Sequence, residues 1–311
     1  MTLAEAVAGN RLLVLAGAGI SRLGPSFLPD WFGFNRAILE EAKACVLRGL
    51  PSLDDAARTA LQGLAIEQIP VEAFSDLVVR SFASEGYFTV LDVLDSEDTN
   101  ANHQALAALA KGGVLRAIVT TNFDTLIERA FREAGVPLQV VTAEEPSDDG
   151  RTTLYKIHGS VTAADTLVDT VSQKRRGLPP ALRKRLAQLY RTHHVLVLGY
   201  SGGDLRFGDD YLGLAAIDAD SPGFTWVTRP GSKPASQVVA LSDGAGGRGA
   251  IVTGALPGFF RTLGPDVPDV PAGVDRAAQR EAEERAALRI RRFSRNRTSA
   301  PSPARRSAPT C

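Results

Sequence analysis

Three short stretches carry residue types that could do chemistry. The first is "GYSGG", Gly199 to Gly203, which follows the apolar run Val195–Leu198 and fits the G-x-S-x-G pattern of a serine-hydrolase nucleophile elbow. A serine nucleophile needs a histidine to take its proton, and in the fold that carries this elbow the histidine comes later in the chain. The four histidines stand at 103, 158, 193 and 194, so none follows Ser201. His193 and His194 precede the apolar run, which as a strand would hold them at its far end. The glycines around Ser201 therefore serve some other purpose.

The other two stretches are "TTNFDTL", residues 120 to 126, and "KIHGS", residues 156 to 160, and a glycine turn, "AGAGIS" at 16 to 21, goes with them. Glycines directly after a strand let the backbone approach a phosphate, and a following helix start offers unpaired N–H groups to the charge. A tight strand-to-helix turn explains the same glycines, and position 22 is Arg, which departs from the G-x-G-x-x-G fingerprint. Asn122 and Asp124 are placed to address a sugar or an amide, or to cap the helix that begins near Leu126. His158, at a strand end and before a glycine, suits a general base with a pKa near neutrality, or a structural imidazole.

Elements must hold these groups together. Apolar, β-branched runs recur at 12–16, 115–120, 138–142, 153–157, 195–199, 224–228 and 250–254, most of them apolar on both faces as buried parallel strands are. Helical patterns lie between them, including "FDTLIERAFREAG", which ends at Gly135, and "PPALRKRLAQLYRTH", whose Pro180 suits a first turn. The alternation predicts an α/β fold: a doubly wound, Rossmann-like, mostly parallel sheet covered on both faces. Residues 33–111 show helix-like patterns alone, which predicts a helical module inserted after the first strand, beside the ligand crevice. Four strand ends, at "GAGIS", "TTNFD", "HGS" and "GYS", then share one crevice.

With 311 residues, 44% hydrophobic and 23% charged, the chain can bury a sizeable core. Its net charge is zero, but residues 272–311 hold ten Arg against four Asp or Glu, which leaves the remainder mildly acidic. That balance argues against nucleic acid as a main ligand, except through the basic tail. Two cysteines, Cys45 and Cys311, are too few for a disulfide framework or a four-ligand zinc site. Cys45 is expected as a small core residue of a helix, and a reducing cytoplasm as the location. No apolar stretch approaches the about 20 residues of a membrane span. The folded body is expected over 1–265, and 266–311 as a Pro/Gly linker, an exposed helix and a basic disordered tail.

Taken in order, "GAGIS", "TTNFD", "KIHGS" and "VLGYS", each after a predicted strand, resemble the signature of the sirtuin superfamily, especially its bacterial SIR2-like branch of NAD-consuming defence proteins. The resemblance covers roughly residues 10 to 230. It implies NAD as the substrate, with Ala18, Gly19 and Ser21 lining the diphosphate and Asn122 beside the nicotinamide ribose. It makes Asp124 the residue that holds the carboxamide, His158 the general base, and Ser201 a contact to the adenosine end. Gly17, Thr121 and Gly199 complete the cofactor-binding set. Residues 25 to 34, "PSFLPDWFGF", correspond to the segment over the nicotinamide pocket, with Asp30 a candidate contact and Trp31 and Phe32 packing the lid.

Two departures sharpen the expectation. The deacylases of the superfamily carry a four-cysteine zinc ribbon between the His motif and the next strand, and here that interval has no cysteine, so no zinc is expected. Phe123 stands where those enzymes have a smaller aliphatic residue. Both favour an NAD glycohydrolase, giving nicotinamide and ADP-ribose or its cyclic form, in anti-phage defence. Two alternatives stay open: an NAD-dependent protein deacylase or ADP-ribosyl transferase, and a non-enzymatic NAD or ADP-ribose sensor. An activating partner protein or phage component, and a homo-oligomer, are the expected associations.

Overall fold

A computed structural model describes residues 1–69, 71–82, 90–143, 150–206, 212–214, 217, 220–263 and 276–298. Seven strands form a single all-parallel sheet: β1 Leu12–Ala16, β2 Leu115–Thr120, β3 Leu138–Val141, β4 Thr152–Lys156, β5 His194–Leu198, β6 Phe224–Thr228 and β7 Gly249–Thr253. Their order is β3-β4-β2-β1-β5-β6-β7. The doubly wound fold expected from the apolar runs is the fold observed, with each strand within a residue or two of its run.

The sheet's centre follows from side-chain alternation along β1. Leu12, Val14 and Ala16 face one layer, with Leu106 and Phe131 of two covering helices, while Leu13 and Leu15 face the other, with Leu186 and Trp226. All five β1 side chains are buried, and a fully buried aliphatic side chain stabilises the fold by about 1.5–3 kcal/mol over an exposed one. The chain leaves β1 toward β2 on one side and later returns to β5 on the other. The carboxyl ends of β1 and β5 are thus the point where the winding reverses, the place where such sheets open a crevice.

Between β1 and β2 lie α2 Trp31–Gly49, α3 Asp55–Gly63, α4 Val71–Phe82 and α5 Ala101–Lys111; α1, Leu3–Ala8, precedes β1. The elements described in this interval are helical, as the patterns predict, yet its parts divide. Phe34, Ile38, Phe74, Val78, Leu91 and Leu94 make a core of their own, whereas Leu106 and Leu109 of α5 pack on the sheet. The module proper thus spans α2 to Leu94, and α5 is a covering helix. The remaining helices are α6 Leu126–Glu133, α7 Val171–Arg175, α8 Pro180–Thr192, α9 Ser236–Gly244, α10 Leu256–Phe260 and α11 Arg276–Thr298.

Two expectations are corrected. Helix α11 docks along α2 instead of standing in solvent: Ile290 is buried in the module's core, and Arg289 donates to the Asp92 carbonyl at 3.2 Å. Ala282 and Ile290 are the side chains it buries among the described residues, and Arg291 lies 3.9 Å from Glu41 of α2. Cys45 is half-buried, not a core residue, with its Sγ 3.4 Å from Glu41 and 3.0 Å from Arg48 on the same helix. The Pro/Gly stretch at 264–275 and the tail at 299–311 lie outside the described residues. Among the described residues no helix is long and apolar enough to cross a membrane.

Candidate active site

The crevice is closed at its floor by two glycine turns in backbone contact. Gly17 N–H donates to the Leu198 carbonyl at 2.9 Å and Gly19 N–H to the Gly199 carbonyl at 2.8 Å. A Cβ on Gly199 would stand 2.5 Å from the Ile20 nitrogen, and its φ of +62° is one that L side chains rarely adopt. The glycines of "GAGIS" and "GYS" thus first serve each other, by letting β1 and β5 end side by side. Ser201 lies exposed just beyond this turn, and Ala18 is half-buried at its rim.

Ser21, at the end of a 3-10 turn Ala18–Ser21, points inward to the carboxyl end of β2. Its Oγ donates to Asp124 Oδ2 at 2.9 Å and accepts from Asn122 Nδ2 at 3.3 Å. Asn122 Nδ2 also donates to Asp124 Oδ2, at 3.2 Å, while Asp124 Oδ1 caps α6 through the Leu126 N–H at 3.1 Å. Both readings of Asp124, cap and site residue, hold at once, on different oxygens. Burial pushes its carboxyl up to about 6, against the pull of Lys156 and of the Leu126 and Ser21 hydrogen bonds. Asn122 Oδ1 is buried with no hydrogen-bond partner among the described residues.

A second layer holds this cluster. His103, near the start of α5, sets its Nε2 3.1 Å from Ser21 Oγ, while its Nδ1 accepts the Asn100 N–H at 3.1 Å. An accepting Nδ1 leaves the proton of a neutral ring on Nε2, so His103 donates to Ser21. Burial holds its pKa down to about 3, which keeps the ring neutral. Asn100 and Asn102 donate to the Ile20 carbonyl, each at 2.9 Å, and pin the glycine turn from the same helix end. Below, the fully buried Lys156 donates to the Asp124 and Phe123 carbonyls and pairs with Glu128 at 2.8 Å.

His158 lies across the crevice. Burial lowers its pKa to about 4; Asp204 works to raise it, Lys174 to lower it, and the ring's hydrogen bond to the Thr121 backbone to raise it. Thr121 thus contributes through its backbone. Phe123 lies 6.1 Å from the His158 ring, centroid to centroid, and 5.6 Å edge-on from Trp31. Its bulk is explained by the helical module, whose core it joins. Asp30 stands apart: it caps α2 through the Gly33 N–H at 2.9 Å and pairs with Arg22. The structure thus gathers Ser21, Asn122, Asp124 and His158 with the glycine turns, and leaves Asp30 on the outer rim.

His103, Asn100, Lys156, Lys174 and Asp204 were not singled out in the sequence. Asn100 and His103 carry one legible signal, an Asn followed three residues on by a hydrogen-bonding side chain at the start of an apolar helix. Among the described residues no group of three His, Cys, Asp or Glu could hold a metal ion.

With this geometry in place, the middle of the chain is similar to proteins of the SIR2-like kind. The SIR2-like domain family matches residues 116–237, which include Asn122, Asp124, Lys156, His158 and Asp204. Defense-associated sirtuin 2 of Bacillus subtilis is 25% identical over 207 residues, which are 64% of this chain and 19% of that protein. The chain thus spans about a fifth of that relative's length. A solved structure of a Sir2 mutant with a p53 peptide and NAD is 19% identical, covering 85% of this chain and 97% of that one at a TM-score of 0.42.

Proposed function

We propose that the chain is an NAD glycohydrolase, cutting NAD to nicotinamide and ADP-ribose or its cyclic form, in a defence role against phage. The observation that carries this reading is Asn122 Oδ1. A buried amide oxygen without a donor is costly, by about 1–3 kcal/mol, unless a ligand hydroxyl or an attacking water completes it. The other amide atom, Nδ2, is held by Ser21 and Asp124, which suit a carboxamide, and the residue follows β2 at the crevice that His158 borders.

The chemistry asks little of the protein beyond position. The bond from ribose C1′ to the nicotinamide nitrogen breaks with its electron pair going to the ring, which leaves as a neutral molecule and needs no acid. A water oxygen, or a ribose hydroxyl on the way to it, adds at C1′, and its proton goes to His158. A neutral imidazole at pH 7 is the form that can take it. Asn122 fixes the ribose side, and the buried dipoles around it favour the cationic sugar of the transition state. The interval from His158 to β5 lacks cysteine, which leaves a thiolate zinc ribbon without ligands and disfavours the acyl-lysine reading.

The test is nicotinamide release from NAD by the purified chain, without peptide, beside Asn122→Ala and His158→Ala. Release by wild type, reduced at least a hundredfold in both variants, supports the proposal. Release by His158→Ala at the wild-type rate overturns the assignment of the base. NAD binding without release, with or without peptide, would put the sensor reading in its place.

A further inference from the structure

Beyond Ser21, Asn122, Asp124 and the crevice side of His158, a buried charge cluster stands against the His158 ring. Asp204, in the 3-10 turn Gly203–Arg206 after β5, accepts from Lys174 Nζ at 2.7 Å on Oδ1 and from the Tyr200 hydroxyl at 2.9 Å on Oδ2. The same Oδ2 lies 3.8 Å from His158 Nε2. Asp204, Lys174 and His158 are each more than nine-tenths buried. They come from three elements: the turn after β5, the short helix α7 and the end of β4. Strands β2 and β1 separate β4 from β5 in the sheet, so this cluster bridges the crevice over two intervening strand ends.

We propose that Asp204 is a positioning residue for His158: its carboxylate, held by Lys174 and Tyr200, is the counter-charge that receives the imidazolium when His158 takes a proton. A separation of 3.8 Å is too long for a hydrogen bond to a neutral ring, so Asp204 does not set the resting tautomer. It is short enough for a strong attraction once Nε2 is protonated in a dry site. A proton that leaves the substrate hydroxyl or water, with the electron pair staying on oxygen, therefore arrives at a nitrogen that already faces a negative charge. Lys174 makes the arrangement affordable, since a lone buried carboxylate would otherwise take up the proton itself. Burial works to raise the Asp204 pKa, but the charges of His158 and Lys174 and the Lys174 and Tyr200 hydrogen bonds bring it below the ordinary carboxylate value. Among the described residues, Asp204 and Lys174 are charged groups that act on the His158 ring.

The proposal rests on the glycohydrolase reading for its kinetic consequence alone, and the test separates the two. The imidazole of His158 is titrated by NMR in wild type, Asp204→Asn and Tyr200→Phe, and NAD cleavage is followed against pH in the same proteins. Asp204→Asn keeps the shape and removes the charge, so the His158 pKa falls by about one pH unit. The acid limb of activity moves with it, and kcat drops at least tenfold with KM within about threefold. Tyr200→Phe frees the Oδ2 lone pair for the imidazolium, so the His158 pKa rises. A His158 titration in Asp204→Asn that coincides with wild type, in a variant whose circular dichroism shows it folded, overturns the proposal. Should Asp204→Asn not fold, an unchanged or lowered titration in Tyr200→Phe overturns it and a raised one supports it. Shifted titrations in a protein that cleaves no NAD would leave Asp204 as the partner of His158 and remove the glycohydrolase reading.

Discussion

Ser21 and His103, 82 residues apart in the chain, are joined by a buried hydrogen bond of 3.1 Å in which the neutral imidazole donates and the hydroxyl accepts. The hydroxyl proton is thereby directed to Asp124, so three side chains from three elements share one ordered run of donors and acceptors. Ser21→Ala leaves the His103 Nε2–H and an Asp124 lone pair buried and unmet. A loss of about 2–3 kcal/mol in unfolding free energy is expected by urea titration, together with a large fall in NAD cleavage. The double variant Ser21→Ala/His103→Phe should lose less than the two single variants added together; strict additivity would mean the bond contributes nothing.

Lys156 has a different task, holding the 122–124 turn from below. Lys156→Met strips two backbone carbonyls and Glu128 of a buried donor. Removing one partner of a buried ion pair costs about 3–5 kcal/mol, so the melting temperature should fall by several degrees or more. Adding Glu128→Leu should return part of that loss. A Lys156→Met protein as stable as wild type would show that the turn stands without it.

At Gly199 the prediction is steric. Alanine there would meet the Ile20 nitrogen in a backbone conformation unsuited to a side chain. The two turns must part, at a cost of roughly 2 kcal/mol or more, and NAD affinity measured by calorimetry should drop with it. Alanine at Gly135, whose φ is +65° but which has no atom within 4 Å, should cost about 1 kcal/mol and leave NAD affinity intact.

Acid should destabilise the fold over a defined window. The folded pKa values of His103 and His158, about 3 and about 4, lie below 6.5, so from there up to 6.5 only the unfolded chain binds these protons and stability rises with pH. Asp124 runs the other way: its folded value of about 6 lies above 3.8, so in that interval the folded chain holds the extra proton and stability is lost as pH rises. Burial lowers His193 and His194 as well, so the imidazoles outweigh the single Asp124 proton and stability should rise with pH between about pH 4 and pH 6. Urea midpoints at half-unit steps measure the slope, which His103→Gln should flatten.

The sheet was legible because its strands are runs apolar on both faces, a pattern that depends on burial alone and needs no knowledge of neighbours. Asn122, Asp124 and His158 were legible as polar residues directly after such runs. Lys174 and Asp204 were not, because a Lys in a basic helix and an Asp after a glycine turn read as ordinary surface until the fold brings them within 2.7 Å. Phe123 was legible as an oddity but not as packing, since its partners Trp31 and Phe34 lie some ninety residues earlier. Helix α11 shows the limit of composition: a helix rich in arginine still buries Ala282 and Ile290.

The pairing of β1 with β5, Leu12 against His194, has a consequence for how the protein comes into being. The strand made first waits on the ribosome for a partner made far later, and contacts of such long sequence separation form slowly. A half-made chain has the "GAGIS" turn without the Gly199 backbone it rests on, and His158 without the carboxylate opposite it. The crevice between β1 and β5 is thus withheld from every unfinished copy by the order in which the polypeptide is synthesised.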